Sequence, residues 1–208
     1  EKGADIEAKD ESGDTALMWA SYQGHKEVVR RLLENGADIE AKSKKGCTAL
    51  IQASYQDHEE VVKILLEKGA DIEAKGWCGR TVLIQASHND HKKVVKLLLE
   101  KGADIEAKDE LGLTVLMNAQ LHGHEEVVKI LLENGADIEA KDKDGDTALM
   151  QATLQGYKEV VKLLLENGAD IEAKDKSGNT ALRLASFQGH EEVVKILLEN
   201  GADIDAKD

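Results

Sequence analysis

The segment GADIEAK recurs along this chain every 33 residues, and this period restricts the possible folds more than any other feature of the sequence. It begins at Gly3, Gly36, Gly69, Gly102, Gly135 and Gly168, and a variant of it begins at Gly201. A unit of this length cannot bury an apolar face by itself, so neighbouring units must stack and share a continuous core. The sequence therefore predicts a single repeat domain over residues 1–208, with full repeats at 3–35, 36–68, 69–101, 102–134, 135–167 and 168–200 and a partial repeat at 201–208.

Composition limits the classes of protein to which the chain can belong. Proline is absent, and only two Trp, three Tyr and one Phe occur, yet 41% of the residues are hydrophobic, so the core must be aliphatic. No apolar run approaches the roughly 18 residues of a membrane span. The net charge of −14 argues against binding to nucleic acid or to an anionic membrane. No signal peptide is visible, so we expect a soluble protein of unknown location, recombinant or cytoplasmic.

Each repeat is predicted to form a turn, a helix, a short turn and a second helix. In the fifth repeat, Thr147 is the expected N-cap of the first helix, and Gly156 is expected to end it in the left-handed conformation. The second helix is predicted from an apolar stripe at helical spacing, formed by Val160, Val161, Leu164 and Leu165. Asp57 and Asp90 replace the glycine that ends the first helix in repeats two and three, and Asp tolerates the left-handed region at a small cost.

These repeats resemble the ankyrin repeat. The pattern GxTxLxxAxxxGH, followed by VVxxLLxxGAD, carries the resemblance and covers residues 3–208. The resemblance implies an all-α solenoid of helix-turn-helix units with protruding β-turn or hairpin loops. It also implies a concave groove, formed by the first helices and the turn tips, that binds partners. The family's usual Thr-Pro-Leu-His is absent, because Ala16 or Val82 stands in the proline position and Met18, Ile51 or Met150 in the histidine position.

Comparison of the six repeats with one another separates a fixed framework from a variable surface. Sixteen of the 33 positions are identical in every repeat, and seven more alternate between two residues. Much of the remaining variation falls at the turn and on one face of the first helix, at spacing i, i+3 and i+4. This distribution is typical of a recognition surface. The residues expected to bind a partner are Trp19, Tyr22, Lys44, Lys45, Cys47, Gln52, Tyr55, Gln56, Trp77, Cys78, Arg80, Gln85, His88, Asn89, Leu111, Leu113, Asn118, Leu121, His122 and Leu154.

Aromatic residues strengthen the prediction of a binding surface. Trp19, Tyr22, Tyr55, Trp77 and Phe187 all occupy variable positions, and Trp and Tyr are common interface anchors. The alternative is that the helix aromatics pack between neighbouring repeats. Unusual turn tips lie in repeats three and four, where we expect Leu111 and Leu113 to be exposed. Repeats two to four are therefore predicted to form the centre of the contact with a partner.

The repeated polar residues do not predict catalysis or metal binding. His25, His58, His91, His124 and His190 share one repeat position and are interpreted as structural. The glutamate position represented by Glu7, Glu40 and Glu73 recurs unchanged, which favours a solvated face over an acid/base pair. Cys47 and Cys78 are expected to be free thiols, and Asp142–Asp146 lacks the residues of a calcium loop. We therefore predict that the chain is not an enzyme and that it needs no metal or cofactor.

The uniform framework also bears on the origin of the sequence. Near-identical repeats with concentrated variation are similar to designed, consensus-library ankyrin repeat proteins. A fragment of a natural adaptor made by recent tandem duplication is the alternative, and a scaffold without a target is a third. The expected function is that of a monomeric protein-binding scaffold whose partner is a protein of unknown identity.

Overall fold

The structure is a computed structural model that describes residues 5–204. Within that range it contains twelve α-helices and no β-strand longer than an isolated bridge. The first helices of the six repeats are α1 (Ala16–Tyr22), α3 (Ala49–Tyr55), α5 (Val82–His88), α7 (Val115–Gln120), α9 (Ala148–Gln155) and α11 (Ala181–Gln188). The second helices are α2 (Lys26–Glu34), α4 (Glu59–Glu67), α6 (Lys92–Glu100), α8 (Glu125–Glu133), α10 (Lys158–Glu166) and α12 (Glu191–Glu199).

The helices fall into two compact units whose boundary lies between Asp104 and Ile105. The first unit contains α1 to α6, and the second contains α7 to α12. Within each unit a first helix packs against its own second helix and against the first helix of a neighbouring repeat. The assignment of residues 1–208 to one domain stays a prediction. In the described part of the chain, no helix combines the length and the apolarity needed to cross a membrane.

Threonine starts every first helix. The N-cap residues are Thr15, Thr48, Thr81, Thr114, Thr147 and Thr180. In the first five, the threonine hydroxyl accepts a hydrogen bond from the backbone amide three residues later, at 3.2–3.4 Å. Such a bond satisfies one of the amides that a helix start leaves without a partner. This explains why threonine is invariant although the proline that usually follows it is absent.

Glycine or aspartate ends each first helix in the left-handed conformation. Gly156 has φ 74° directly after α9, as predicted. Asp57 and Asp90 adopt φ 58° and 59° at the equivalent positions, so their predicted conformation is confirmed. The second helices bury the expected aliphatic stripe, in which Val160, Val161 and Leu164 are inaccessible to solvent or nearly so. Burying each such side chain contributes about 1.5–3 kcal/mol. The stripe forms the apolar core together with buried first-helix residues such as Leu149 and Met150.

A ring side chain of the next repeat bonds to the end of four first helices, namely α1 and α3 in the first unit and α7 and α9 in the second. The Nε2 atom of His58 lies 2.9 Å from the carbonyl oxygen of Tyr22, and that of His190 lies 3.1 Å from the carbonyl oxygen of Leu154. Tyr157 replaces histidine in the fifth repeat, and its hydroxyl donates to the carbonyl oxygen of Leu121 at 3.1 Å. These bonds satisfy carbonyl groups at the end of the preceding first helix. The structural interpretation of this histidine position is therefore supported.

Glutamate makes a second joint between successive repeats. Glu7 accepts a hydrogen bond on Oε1 from the backbone amide of Asp38, and Glu40 accepts one from Asp71, both at 2.8 Å. The same bond recurs at 2.7–2.8 Å for Glu73, Glu106, Glu139 and Glu172 with Asp104, Asp137, Asp170 and Asp203. The interpretation of these carboxylates as only a solvated face was therefore incomplete. Their invariance is explained by a charge-assisted bond between repeats.

The ring joint predicts that two glycines with the same backbone conformation differ in their tolerance of alanine. A Cβ atom on Gly156 would lie 2.9 Å from the His190 ring, whereas a Cβ on Gly168 would meet no atom within 4 Å. We expect Gly168→Ala to cost only the left-handed strain, about 1–2 kcal/mol. Gly156→Ala should cost roughly 1–3 kcal/mol more because the ring is crowded.

Denaturant unfolding of the full chain measures both costs, with the wild type as reference. Equal destabilisation by the two substitutions would contradict a packing role for the ring. Gly156→Ala combined with His190→Ala provides the complementary control, because removing the ring should relieve the additional cost of the alanine.

Candidate protein-interaction surface

Aromatic side chains of the first unit lie on its surface rather than in its core. Trp19 is 48% exposed, Tyr55 49% and Trp77 65%. Trp19 and Tyr22 form an edge-to-face pair with ring centroids 6.1 Å apart. The indole of Trp19 also donates to Oδ2 of Asp10 at 2.9 Å. The alternative in which these rings pack mainly between repeats does not describe Trp19, Tyr55 or Trp77.

Several of these rings border one cleft of about 320 Å³ in the first unit, which we call the aromatic cleft. The first helices and turns of repeats one to three form its walls. Its lining residues are Tyr22, Lys45, Cys47, Ile51, Gln52, Tyr55, Gly76, Trp77, Arg80 and Gln85. A second cleft, lined by Asp14, Met18 and Trp19, shares Tyr22 and Gln52 with it. The structure therefore brings together residues that are as much as 63 positions apart in the sequence, from Tyr22 to Gln85.

The third turn has a backbone that differs from the other turns and presents Trp77. Residues Trp77–Gly79 form a 3₁₀ turn in which Cys78 has φ 57°. Gly76 stands where most repeats have aspartate, and a Cβ there would lie 3.1 Å from Cδ1 of Ile51. The absence of a side chain at Gly76 lets this turn approach the second repeat closely. Trp77 is thereby held at the rim of the cleft.

The twenty predicted binding residues differ widely in exposure. Seven are exposed: Trp19, Lys44, Lys45, Tyr55, Trp77, Leu111 and His122. Eleven are half-buried: Tyr22, Cys47, Gln52, Gln56, Cys78, Arg80, Gln85, His88, Asn89, Leu121 and Leu154. Two are buried: Leu113 and Asn118. Cys47 and Cys78 are free thiols, and no cluster of three metal-ligating side chains occurs between residues 5 and 204.

The expected exposure of Leu113 was wrong, whereas Leu111 is exposed as expected. Leu113 is only 9% exposed because its position lies at the base of the turn, directly before the N-cap Thr114. Asp109 folds this turn by accepting hydrogen bonds on Oδ1 from the amides of Leu111 and Leu113, at 2.9 and 3.0 Å. The turn tip at Leu111 and the turn base at Leu113 therefore have different environments, although both positions vary among the repeats.

Asn118 was also expected on the contact surface, but it is buried and 0% exposed. Its Nδ2 donates to Oδ2 of Asp109 at 3.2 Å and to the carbonyl oxygen of Thr114 at 3.1 Å. Gln120, two residues later, is also buried, and its Nε2 donates to the carbonyl oxygen of Ala148 at 2.8 Å. The role of Gln120 was not predicted from the sequence, although serine or threonine occupies its position in all other repeats.

Acidic turns in the second unit create a different electrostatic environment. Burial, together with the neighbouring charges of Asp142, Asp175 and Asp144, raises the pKa of Asp146 to about 6. In the next repeat, Asn179 occupies the position of Asp146 and donates to Oδ2 of Asp175 at 2.9 Å. Burial raises the pKa of Asp175, but hydrogen bonds from Asn179 and Ser177 outweigh it and hold that pKa below its ordinary value.

Comparisons with known proteins find ankyrin repeats over nearly the whole chain. The family model "Ankyrin repeats (3 copies)" matches residues 2–76, 73–142 and 139–208. Among solved structures, the ankyrin repeat domain of Bcl-3, described as a unique member of the IkappaB protein family, is similar with a TM-score of 0.87 and 34% sequence identity. The match covers 95% of this chain and 91% of that domain. Among curated proteins, none matches this sequence significantly.

The acidic turn of the fifth repeat predicts that Asp146→Asn stabilises the protein at neutral pH. The raised pKa means that stability is lost as pH rises from 3.8 through about 6, because the folded state disfavours the charged carboxylate. After a discount for solvent screening, we expect a gain of about 1 kcal/mol at pH 7.

Urea unfolding of Asp146→Asn and wild type from pH 4 to pH 8 measures this effect. The gain should appear above about pH 4 and reach its full size above about pH 6. Glu110→Gln is the control, because it removes an exposed turn carboxylate outside this cluster and should change stability little. A gain from Asp146→Asn that does not depend on pH would contradict the electrostatic cause.

The buried amide of the fourth repeat predicts a structural cost for Asn118→Ala. The substitution removes the donor to the buried carboxylate of Asp109, so we expect a loss of roughly 1–3 kcal/mol in the free energy of unfolding. Gln151→Ala is the matched control, because Gln151 occupies the same repeat position but is half-buried. Its cost should be smaller. Equal costs in a denaturant titration would show that burial of the Asn118–Asp109 bond is unimportant.

Proposed function

We propose that this chain, which belongs to the ankyrin repeat family, is a non-enzymatic scaffold that binds a protein partner through its variable first-helix and turn positions. The all-α ankyrin repeat fold expected from the sequence is confirmed by the family match and by the similarity to the Bcl-3 domain. Ankyrin repeats are generally protein-interaction modules. The assignment of binding to particular residues is the further step that we propose.

Exposure of large aromatic side chains at variable positions is the observation that carries the proposal. Trp19, Tyr55 and Trp77 are prominent on the first unit, and Phe187 on the second is 86% exposed. Burial of large exposed apolar groups by a partner lowers the free energy of the complex, and aromatic anchors dominate many interfaces. The invariant positions, by contrast, are occupied by caps, helix ends, core residues and the joints between repeats.

The chemistry of the aromatic cleft favours binding over catalysis. Its walls carry aromatic, aliphatic and amide side chains, and its two charged lining residues are Lys45 and Arg80. A nucleophile activated by a base, or a pair of carboxylates, is the usual basis of hydrolytic chemistry. The cleft lining contains no histidine, aspartate or glutamate that could act as such a base. Contact with a polypeptide surface is the function that this lining supports best.

We also propose that the framework was made uniform by consensus design. Sixteen positions identical in six repeats, with variation concentrated at the turns and the first helices, support this origin. A natural adaptor fragment that arose by tandem duplication would bind a partner in the same way. A scaffold whose variable residues were never selected would have no partner of saturable affinity, which separates it from the other two.

Selection of a displayed protein-fragment library on the immobilised full chain tests the function. We expect fragments that bind saturably, and we expect Trp77→Ala to weaken a selected fragment by about 30-fold or more because it removes a central anchor. Lys63→Ala, an exposed residue of α4 outside the cleft, is the control and should leave affinity unchanged. Saturable fragments that bind both variants as they bind the wild type would place the interface elsewhere.

The two tryptophans also predict a spectroscopic change on binding. In Trp19→Phe, the fluorescence of Trp77 is observed alone because the chain contains two Trp residues. A bound fragment that covers the cleft should shift this emission to shorter wavelength and protect it from iodide, since the exposed indole becomes desolvated. A saturating fragment that leaves both the emission maximum and the quenching unchanged would contradict contact at Trp77.

A further inference from the structure

We infer that the aromatic cleft selects an acidic segment of its partner, with a carboxylate on Arg80 and Lys45 and a neighbouring apolar side chain against Trp77 and Tyr55. The inference rests on the proposed function and specifies the partner's chemistry at this site. It is carried by the composition of the cleft wall, by the environment of Arg80 and by the local sign of charge.

The cleft wall combines two cations with apolar surface. Lys45 and Arg80 line it together with the rings of Trp77 and Tyr55 and the side chain of Ile51. The lining contains no carboxylate, so the positive charge in the cleft is not neutralised within the cleft itself. Such a wall is complementary to a short segment in which an acidic residue adjoins an aromatic or aliphatic one.

Arg80 is the group whose environment points most directly to an anion. The residue is half-buried, and its Nε atom is enclosed without a hydrogen-bond partner among the described residues. The enclosed Nε shows that this guanidinium is only partly solvated, which strengthens its attraction for an anion at the terminal nitrogens. The planar guanidinium is also suited to binding both oxygens of a carboxylate. A bound acidic side chain would therefore supply charge-assisted hydrogen bonds that the described residues do not provide to Arg80 itself.

The local charge of the cleft is opposite to the net charge of the chain. The whole chain carries −14, whereas the cleft lining carries only lysine and arginine as charged residues. At physiological ionic strength charges are screened beyond about 8 Å, so a ligand within the cleft responds mainly to the nearest charges. These are Lys45 and Arg80 in the lining and Asp14 at its edge, where Oδ1 of Asp14 accepts from Gln52 at 3.4 Å. Nonspecific attraction to the chain would select basic partners. Selection of acidic partners would therefore identify the cleft rather than the overall charge.

The experiment is a selection from a displayed library of random 12-residue peptides on the full wild-type chain and on Arg80→Gln. We expect wild-type pools enriched in Asp and Glu next to Phe, Tyr, Leu or Ile, and no acidic enrichment on Arg80→Gln. A synthetic peptide of the enriched sequence should bind Arg80→Gln about 10-fold to 100-fold more weakly, because a charge-assisted pair is lost. Its affinity for wild type should also fall as salt rises.

Two further variants test whether weaker binding results from loss of charge in the cleft or from misfolding. Lys45→Gln alters an exposed side chain of the cleft and should weaken the same peptide with no change in the unfolding midpoint. Lys63→Gln removes a positive charge from the exposed surface of α4, which does not line the cleft, and should leave binding unchanged. An Arg80→Lys variant that restores only part of the affinity would support bidentate binding by the guanidinium.

The outcomes distinguish this inference from the proposed function. Saturable peptides without acidic preference, or peptides insensitive to both Arg80→Gln and Lys45→Gln, would overturn the acidic-segment inference and leave the binding function standing. Failure of this peptide library and of the protein-fragment library to yield any saturable ligand would overturn both. Enrichment of basic peptides would show that the overall negative charge, rather than the cleft, governs recognition.

Discussion

The hydrogen bonds between successive repeats are the interactions on which the rest of this fold depends. In each unit a glutamate carboxylate accepts from a backbone amide 31 residues later, and a ring side chain reaches a carbonyl oxygen 36 residues earlier. Both bonds have fixed offsets, so they fix the register of one helix pair on the next. Because the joints use invariant residues or a His/Tyr alternation, the turn tips and the outer positions of the first helices are free to differ.

Local structure could be predicted from the sequence because it depends on residues close together in the chain. Thr147, Gly156 and Asp57 have the cap and helix-end roles that their chemistry favours. Burial was predicted less well, because the position of a residue within the repeat does not determine how deeply its side chain is buried. Leu113 and Asn118 were placed on the surface, yet the first lies at a turn base and the second bonds to a buried carboxylate. The same turn hydrogen bonds occur at Asp10, Asp142 and Asp175, so the burial of these two side chains depends on which residues occupy the turn and the helix face rather than on the turn itself.

Surface chemistry differs between the two units although their frameworks are nearly the same. The first unit offers an aromatic cleft with Lys45 and Arg80 as its charged lining residues. In the second unit, burial and the neighbouring carboxylates of Asp142, Asp175 and Asp144 raise the pKa of Asp146. Much of this contrast comes from a few variable positions, since Arg80 and Asp146 occupy the same place in their respective repeats. A uniform scaffold can therefore present surfaces of opposite local charge without a change in its core.

The ring joint has a consequence for how such a chain can be rearranged. A first-helix end and the ring that covers it belong to different repeats, so each repeat carries half of one joint and half of the next. Where aspartate ends the helix, Oδ1 of Asp57 lies 3.9 Å from Nδ1 of His91, a pairing that glycine would not provide. Gly24, in contrast, leaves room for the ring of His58. The two halves of this joint lie 34 residues apart, from Asp57 to His91, which exceeds the 33-residue period. Any recombination point therefore separates the halves of at least one joint, and the portable module of this protein is the junction between two repeats.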